Sequence, residues 1–121
     1  MSPVILVAIG GALGAVARYL IGEWLSTDEF PWGTLVVNLL GSLLLGILTG
    51  VLAAEIISQD AALLLGTGVL GAFTTMSAFS IETVKMSGGD NTAMLVYVLA
   101  TIVLCPLLAA LGWWQTQARV G

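Results

Sequence analysis

Gly71-Ala72-Phe73-Thr74-Thr75-Met76-Ser77-Ala78-Phe79-Ser80 is the stretch whose reading decides how this 121-residue chain is built. It lies in the middle of an apolar run from about residue 61 to residue 86. A glycine followed by two adjacent threonines at bilayer depth weighs toward a local break in the helix, which frees carbonyl and N–H groups. Non-helical backbone survives at that depth only when it is buried in protein or lines a cavity. Freed carbonyl oxygens suit a small, hard cation, whereas freed N–H groups and hydroxyls suit an anion. A phenylalanine ring adds an electropositive edge that can also face an anion. The alternative is a continuous helix whose Ser and Thr hydroxyls bond back to their own carbonyls.

Three further apolar stretches flank this one, at about residues 3–25, 32–54 and 92–114. Each of the four approaches the ~20 residues that cross a ~30 Å hydrocarbon core as a helix. The connectors Ser26-Thr27-Asp28-Glu29, Ser58-Gln59-Asp60 and Ser87-Gly88-Gly89-Asp90-Asn91 are short and polar, with the serines and aspartates of turns and helix starts. Trp24, Trp32, Trp113 and Trp114 fall at the boundaries, where amphipathic rings belong. The expectation is a single domain, residues 1–121, of the all-α integral membrane class with four transmembrane helices. The first stretch has no basic n-region or small-x-small cleavage site, so it reads as a retained helix and not as a signal peptide.

Composition agrees. The chain is 59% hydrophobic and 8% charged, with a mean hydropathy of +1.08. Soluble domains carry about a quarter charged residues. Three Lys+Arg against seven Asp+Glu, a formal charge of −4, argue against a nucleic-acid partner, which needs clustered basic residues. There is no histidine, and the lone Cys105 makes neither an intrachain disulfide nor a cysteine metal site. With no credible triad or metal cluster either, the chain does not read as an enzyme. Gly66-x-Gly68-x-x-Gly71 matches the dinucleotide fingerprint only formally, since it follows membrane spans and not a β-strand.

Orientation is undecided by charge. Arg119 lies on the side of the termini, and Lys85 on the other, with Arg18 near a boundary. The positive-inside rule needs an excess of Lys and Arg on one side. So little bias fits a chain that inserts both ways; it also fits a small acidic protein that simply lacks basic residues. Gly10, Gly14 and Gly22 share one face of the first helix, with Arg18 between them. Gly10-x-x-x-Gly14 suits either a contact between subunits or ordinary packing within one.

Polar residues inside hydrocarbon are costly unless partnered, so their positions are informative. Thr34, Asn38, Ser42 and Thr49 form a stripe on the second helix at ~100° per residue. Asn38, with two amide donors, suits an anion, and equally suits an interhelical bond that only holds the bundle. Tyr97, Thr101 and Cys105 repeat the pattern on the fourth helix, followed by Pro106, a kink candidate.

Taken together these residues resemble the CrcB/Fluc fluoride channels. The matching stretches are Gly10-Gly11-x-x-Gly14-Ala15-x-x-Arg18-Tyr19, Gly33-Thr34-Leu35-Val36-Val37-Asn38-x-x-Gly41-Ser42 and Gly71-x-x-Thr74-Thr75-x-Ser77-x-Phe79-Ser80-x-Glu82. They occur in family order across essentially the whole chain. The resemblance implies an antiparallel, dual-topology dimer in the cell (plasma or inner) membrane, surrounded by lipid, with two pores for passive fluoride efflux. It implies a structural Na+ at the dimer centre, held by backbone carbonyls that by motif position belong to Gly71 and Thr74. By the same matching, Asn38, Ser42, Met76, Ser77, Phe79, Ser80, Tyr97 and Thr101 are expected along the ion pathway, and Arg18 and Glu82 at the pore mouths. Met76 departs from the family's first pore phenylalanine; Ala72, Phe73 and Ala78 replace a usual glycine, aliphatic residue and threonine. The departures leave slower conduction or a paired, heterodimeric subunit as expectations beside the homodimer.

Two rivals come from other classes. A small multidrug-resistance-like exporter needs an ionisable carboxylate deep in the membrane, but Glu23, Glu55 and Glu82 all lie toward segment ends. A noncatalytic anchor or assembly subunit explains the size and the glycines, but not polar stripes on three helices.

Overall fold

The computed structural model describes residues 1–120; Gly121, the last residue of the expected domain, lies outside them. Helix α1 spans Pro3–Leu25 and α2 spans Trp32–Ala53. The third crossing is interrupted. Its first part, α3 (residues 59–73), joins an α-turn at Gln59–Ala62 to a wide π-wound segment at Leu63–Leu70 and a last turn at Gly71–Phe73. Its second part is α4, Met76–Met86, and α5 runs from Asn91 to Val120. Among the described residues, four helical crossings are thus long and apolar enough to traverse a membrane, counting Gln59–Met86 as one.

The starts follow local chemistry. Pro3 opens α1, where its missing N–H costs nothing. The Ser58 hydroxyl accepts the Ala61 N–H at 3.1 Å, and the Asp90 carboxylate accepts those of Thr92 and Ala93 at 3.0 and 3.1 Å. These are the connector serine and aspartate expected to cap helices. The fourth helix runs six residues beyond its expected end at residue 114.

Large buried side chains are few: Tyr97 and Val37 are fully buried, and Leu6, Leu35, Leu70 and Phe73 nearly so. Every crossing exposes large apolar side chains, and α4 exposes Ser77, Ser80 and Lys85 as well. In lipid there is no hydrophobic drive between helices, so close approach through small residues must hold them together. Glycines supply it. α1 packs on α3, where a Cβ added to Gly10 or Gly14 would strike the Leu64 or Val69 carbonyl. α2 packs on α5, where Gly46 and Gly50 meet Ala109 and Thr116. Gly10-x-x-x-Gly14 therefore serves packing within the subunit. The π-wound turns, which the sequence did not announce, carry Gly66 and Gly68, both buried, and Gly68 rests on Gly10. The formal dinucleotide motif lies in this segment, in no βαβ setting.

Candidate functional site: the helix break and its polar cavity

The break falls at Thr74 and Thr75, both extended (φ/ψ −85°/155° and −152°/114°), while Gly71 stays helical at −61°/−38°. Thr75 ends the interruption by capping α4: its hydroxyl accepts the Ala78 N–H at 3.0 Å. The backbone of Thr75 is held from α2. Its N–H donates to Asn38 Oδ1 at 2.8 Å, and its carbonyl accepts from Asn38 Nδ2 at 3.2 Å. Gly41, one turn along α2, provides the room, since a Cβ there would strike the Thr74 methyl. Arg18 reaches across from α1 and donates from Nε to the Ala72 carbonyl at 3.1 Å. Protein groups on both sides thus satisfy the Ala72 carbonyl and both backbone groups of Thr75, as non-helical backbone in lipid requires.

Beside it lies a cavity of about 400 Å³ whose wall includes Asn38, Ser42, Met76, Phe79 and Thr101. Five of the eight expected pathway residues therefore surround one space. Asn38, only 7% exposed, spends one amide hydrogen on Thr75 and keeps a second. Thr101 gives its hydroxyl hydrogen to the Tyr97 carbonyl at 2.8 Å. Cys105 and Pro106 also border the cavity, and Pro106 has no N–H to give the carbonyl of Ile102, another wall residue. Met76 is 71% exposed on the single chain.

The other three expected pathway residues lie elsewhere. Ser77 and Ser80 are exposed outside the cavity; the Ser77 and Thr75 hydroxyl oxygens are 3.1 Å apart, and Ser80 donates to the Met76 carbonyl at 2.9 Å. Tyr97 is fully buried and its hydroxyl donates to Glu82 Oε2 at 2.9 Å. Glu82 Oε1 accepts from the Thr34 hydroxyl at 2.8 Å, so both carboxylate oxygens are engaged. Arg18 and Glu82 border a second recess, of about 260 Å³. Thr34 and Thr75 border it too, which places the break between the two spaces.

One contributor was not foreseen. Phe30, in the α1–α2 connector, stacks edge-on to Tyr97 with centroids 5.5 Å apart, while Phe79 meets the same ring at 5.2 Å. The available signal was a large apolar residue in an otherwise polar turn. Thr49, by contrast, belongs to the second-helix stripe but bonds back to the Leu45 carbonyl, away from this site.

The donor set of the break also bears on the expected Na+. In an unbroken helix the Thr75 N–H would bond the Gly71 carbonyl, and the Ala78 N–H that of Thr74. Asn38 takes the first and the Thr75 hydroxyl takes the second. A Cβ on Gly71 would find only the Gly66 carbonyl, at 3.5 Å, so that face is open. Two backbone oxygens released from the helix, of the hard type that suits an alkali cation, fit the group.

Four apolar crossings, an interrupted helix and a mainly apolar cavity edged by a few polar groups at the interruption define the class: a small multi-pass α-helical membrane protein with its backbone opened at the third crossing. A family model described as "CrcB-like protein, Camphor Resistance (CrcB)" matches residues 5–113, and the chain belongs to this family. Among its relatives, a protein of Geobacillus kaustophilus named fluoride-specific ion channel FluC 1 is 49% identical over 112 residues, covering 90% of this chain and 93% of its own. A fluoride-specific ion channel FluC of Thermus thermophilus is 43% identical, covering 97% and 95%. One of Rhizobium meliloti is 40% identical, covering 99% and 100%. These relatives are named ion channels, in keeping with the expectation that the chain is not an enzyme.

Proposed function

We propose that the chain is a fluoride-selective channel that gives passive fluoride efflux across the cell membrane. The observation that carries this reading is the cavity at the break, where Asn38, Ser42 and the Phe79 ring face one space beside opened backbone. Fluoride is small and strongly hydrated, so a path for it must replace water with several donors at close range. An amide, a hydroxyl and a ring edge do this without a fixed cation that would trap the ion. The names of the relatives support the same ion.

The working unit is an antiparallel homodimer inserted in both orientations in the cell membrane, with Na+ at its centre on the Gly71 and Thr74 carbonyls. The weak Lys/Arg bias, the released carbonyls and the open face of Gly71 support this arrangement. When bound, the cation supplies fixed positive charge to those oxygens. Asn38 then orients Thr75, Arg18 neutralises the end of α3 at Ala72, and Glu82 is held by Thr34 and Tyr97. Glu82 lies four residues from the end of the third crossing, and no carboxylate borders the cavity, so the proton-coupled exporter reading has no deep acid to work with.

The test is efflux from liposomes holding only the purified chain, with chloride compared to fluoride. Fluoride efflux well above chloride is expected. Equal passage of chloride refutes the reading, and silence from well-folded dimer points to a missing partner subunit or to lost function.

A further inference from the structure

We propose that Asn38 is also a positioning residue for the cation-binding carbonyls, so that one carboxamide couples the anion cavity to the cation site. This coupling rests on the reading of the Gly71 and Thr74 carbonyls as that site. The carboxamide borders the cavity and at the same time holds Thr75 through both of its backbone groups, at 2.8 and 3.2 Å. The Thr75 N–H is the natural competitor for the Gly71 carbonyl, four residues back. With Oδ1 accepting it, the Gly71 oxygen stays outside the helical ladder. Thr75, so held, presents its own hydroxyl to the Ala78 N–H, which keeps that donor from the Thr74 carbonyl. One side chain on α2 therefore governs the first oxygen directly and the second through Thr75.

The converse also holds. A cation pulling on the Gly71 carbonyl disfavours closure by the Thr75 N–H, and so favours the geometry in which Asn38 turns its second amide hydrogen to the cavity. Equilibrium linkage makes this reciprocal: whatever the cation does for the open break, the open break does for the cation. Removing the Asn38 side chain frees the Thr75 N–H to close on Gly71. The cation should then bind more weakly, an effect that an anion ligand alone would not produce.

The experiment titrates the purified, full-length dimer in detergent with NaCl against N-methylglucamine chloride and reads the thermal unfolding midpoint. Asn38→Ala, Asn38→Asp and Ser42→Ala are compared, with fluoride flux measured on each in liposomes. Half-saturation by Na+ is expected to weaken at least tenfold in Asn38→Ala and to stay within threefold in Ser42→Ala, a cavity residue with no bond to Thr75. Asn38→Asp keeps the acceptor for the Thr75 N–H but loses the donor to the Thr75 carbonyl and repels an anion, so its Na+ response should weaken less than that of Asn38→Ala while fluoride flux collapses. An unchanged Na+ response in Asn38→Ala overturns the coupling and leaves Asn38 acting on the anion alone. If Asn38→Ala gives no folded dimer, Asn38→Leu, which keeps the volume without an acceptor, takes its place, and an unchanged Na+ response in it overturns the coupling. A wild-type dimer indifferent to Na+ overturns the cation reading itself, and the coupling with it.

Discussion

Replacing Tyr97 with phenylalanine removes one oxygen and leaves a fully buried ring in place. The ring contacts, Phe79 at 5.2 Å and Phe30 at 5.5 Å, are unaffected in kind, so the substitution isolates the 2.9 Å bond to Glu82. A hydrogen bond to a charged group contributes ~1.5–3 kcal/mol in soluble proteins. Between helices in a membrane the measured coupling averages ~0.6 and reaches ~1.7 kcal/mol, because helices separated in lipid find other partners. A half-buried carboxylate joining α4 to α5 belongs near the top of that second range, so a coupling of ~1–1.7 kcal/mol is expected. Tyr97→Phe should cost about that much. Glu82→Ala should cost more, since it strips the partner from Thr34 as well as Tyr97. The assay is a double-mutant cycle of Tyr97→Phe and Glu82→Ala, read by detergent-titration unfolding in mixed micelles. The double variant should be less damaged than the sum of the singles by the coupling energy. Additivity within ~0.5 kcal/mol would refute the reasoning, because groups that touch do not add.

Two contrasts test other parts of the structure. Gly14→Ala places a methyl against the Val69 backbone, which cannot rotate away, and should destabilise by ~1–3 kcal/mol. Gly11→Ala, with nothing within 4 Å, should be neutral or stabilising by up to ~1 kcal/mol. Thermal unfolding of the two variants checks this, and equal midpoints would contradict the α1–α3 packing. Met76→Phe should hold or raise fluoride flux, because the residue borders the cavity while most of its surface is free on the single chain. Loss of flux from folded protein would count against the placement of Met76 at the pore position or show that local packing requires Met.

Much of this protein is determined by forces that act along a single helix. Desolvation over ~20 residues sets the four crossings, and serine and aspartate set the connectors. Glycine before paired threonines marked the stretch in which the break falls, and the structure puts it at the threonines while the glycine stays helical. The i, i+4 stripe of α2 put Asn38 and Ser42 on one wall because helical period alone aligns them. The wide winding of Leu63–Leu70 had no such local signal, and neither did the partners of the glycines. Which bonds the polar groups make was decided by how the helices rotate and tilt against one another. Asn38 finds Thr75 37 residues away, and Thr34 finds Glu82 48 residues away. The same rotations bury the Tyr97 hydroxyl against Glu82 and leave Ser77 and Ser80 outside the cavity. Spacing along a helix shows which side chains share a face, whereas only the packed bundle shows what that face meets.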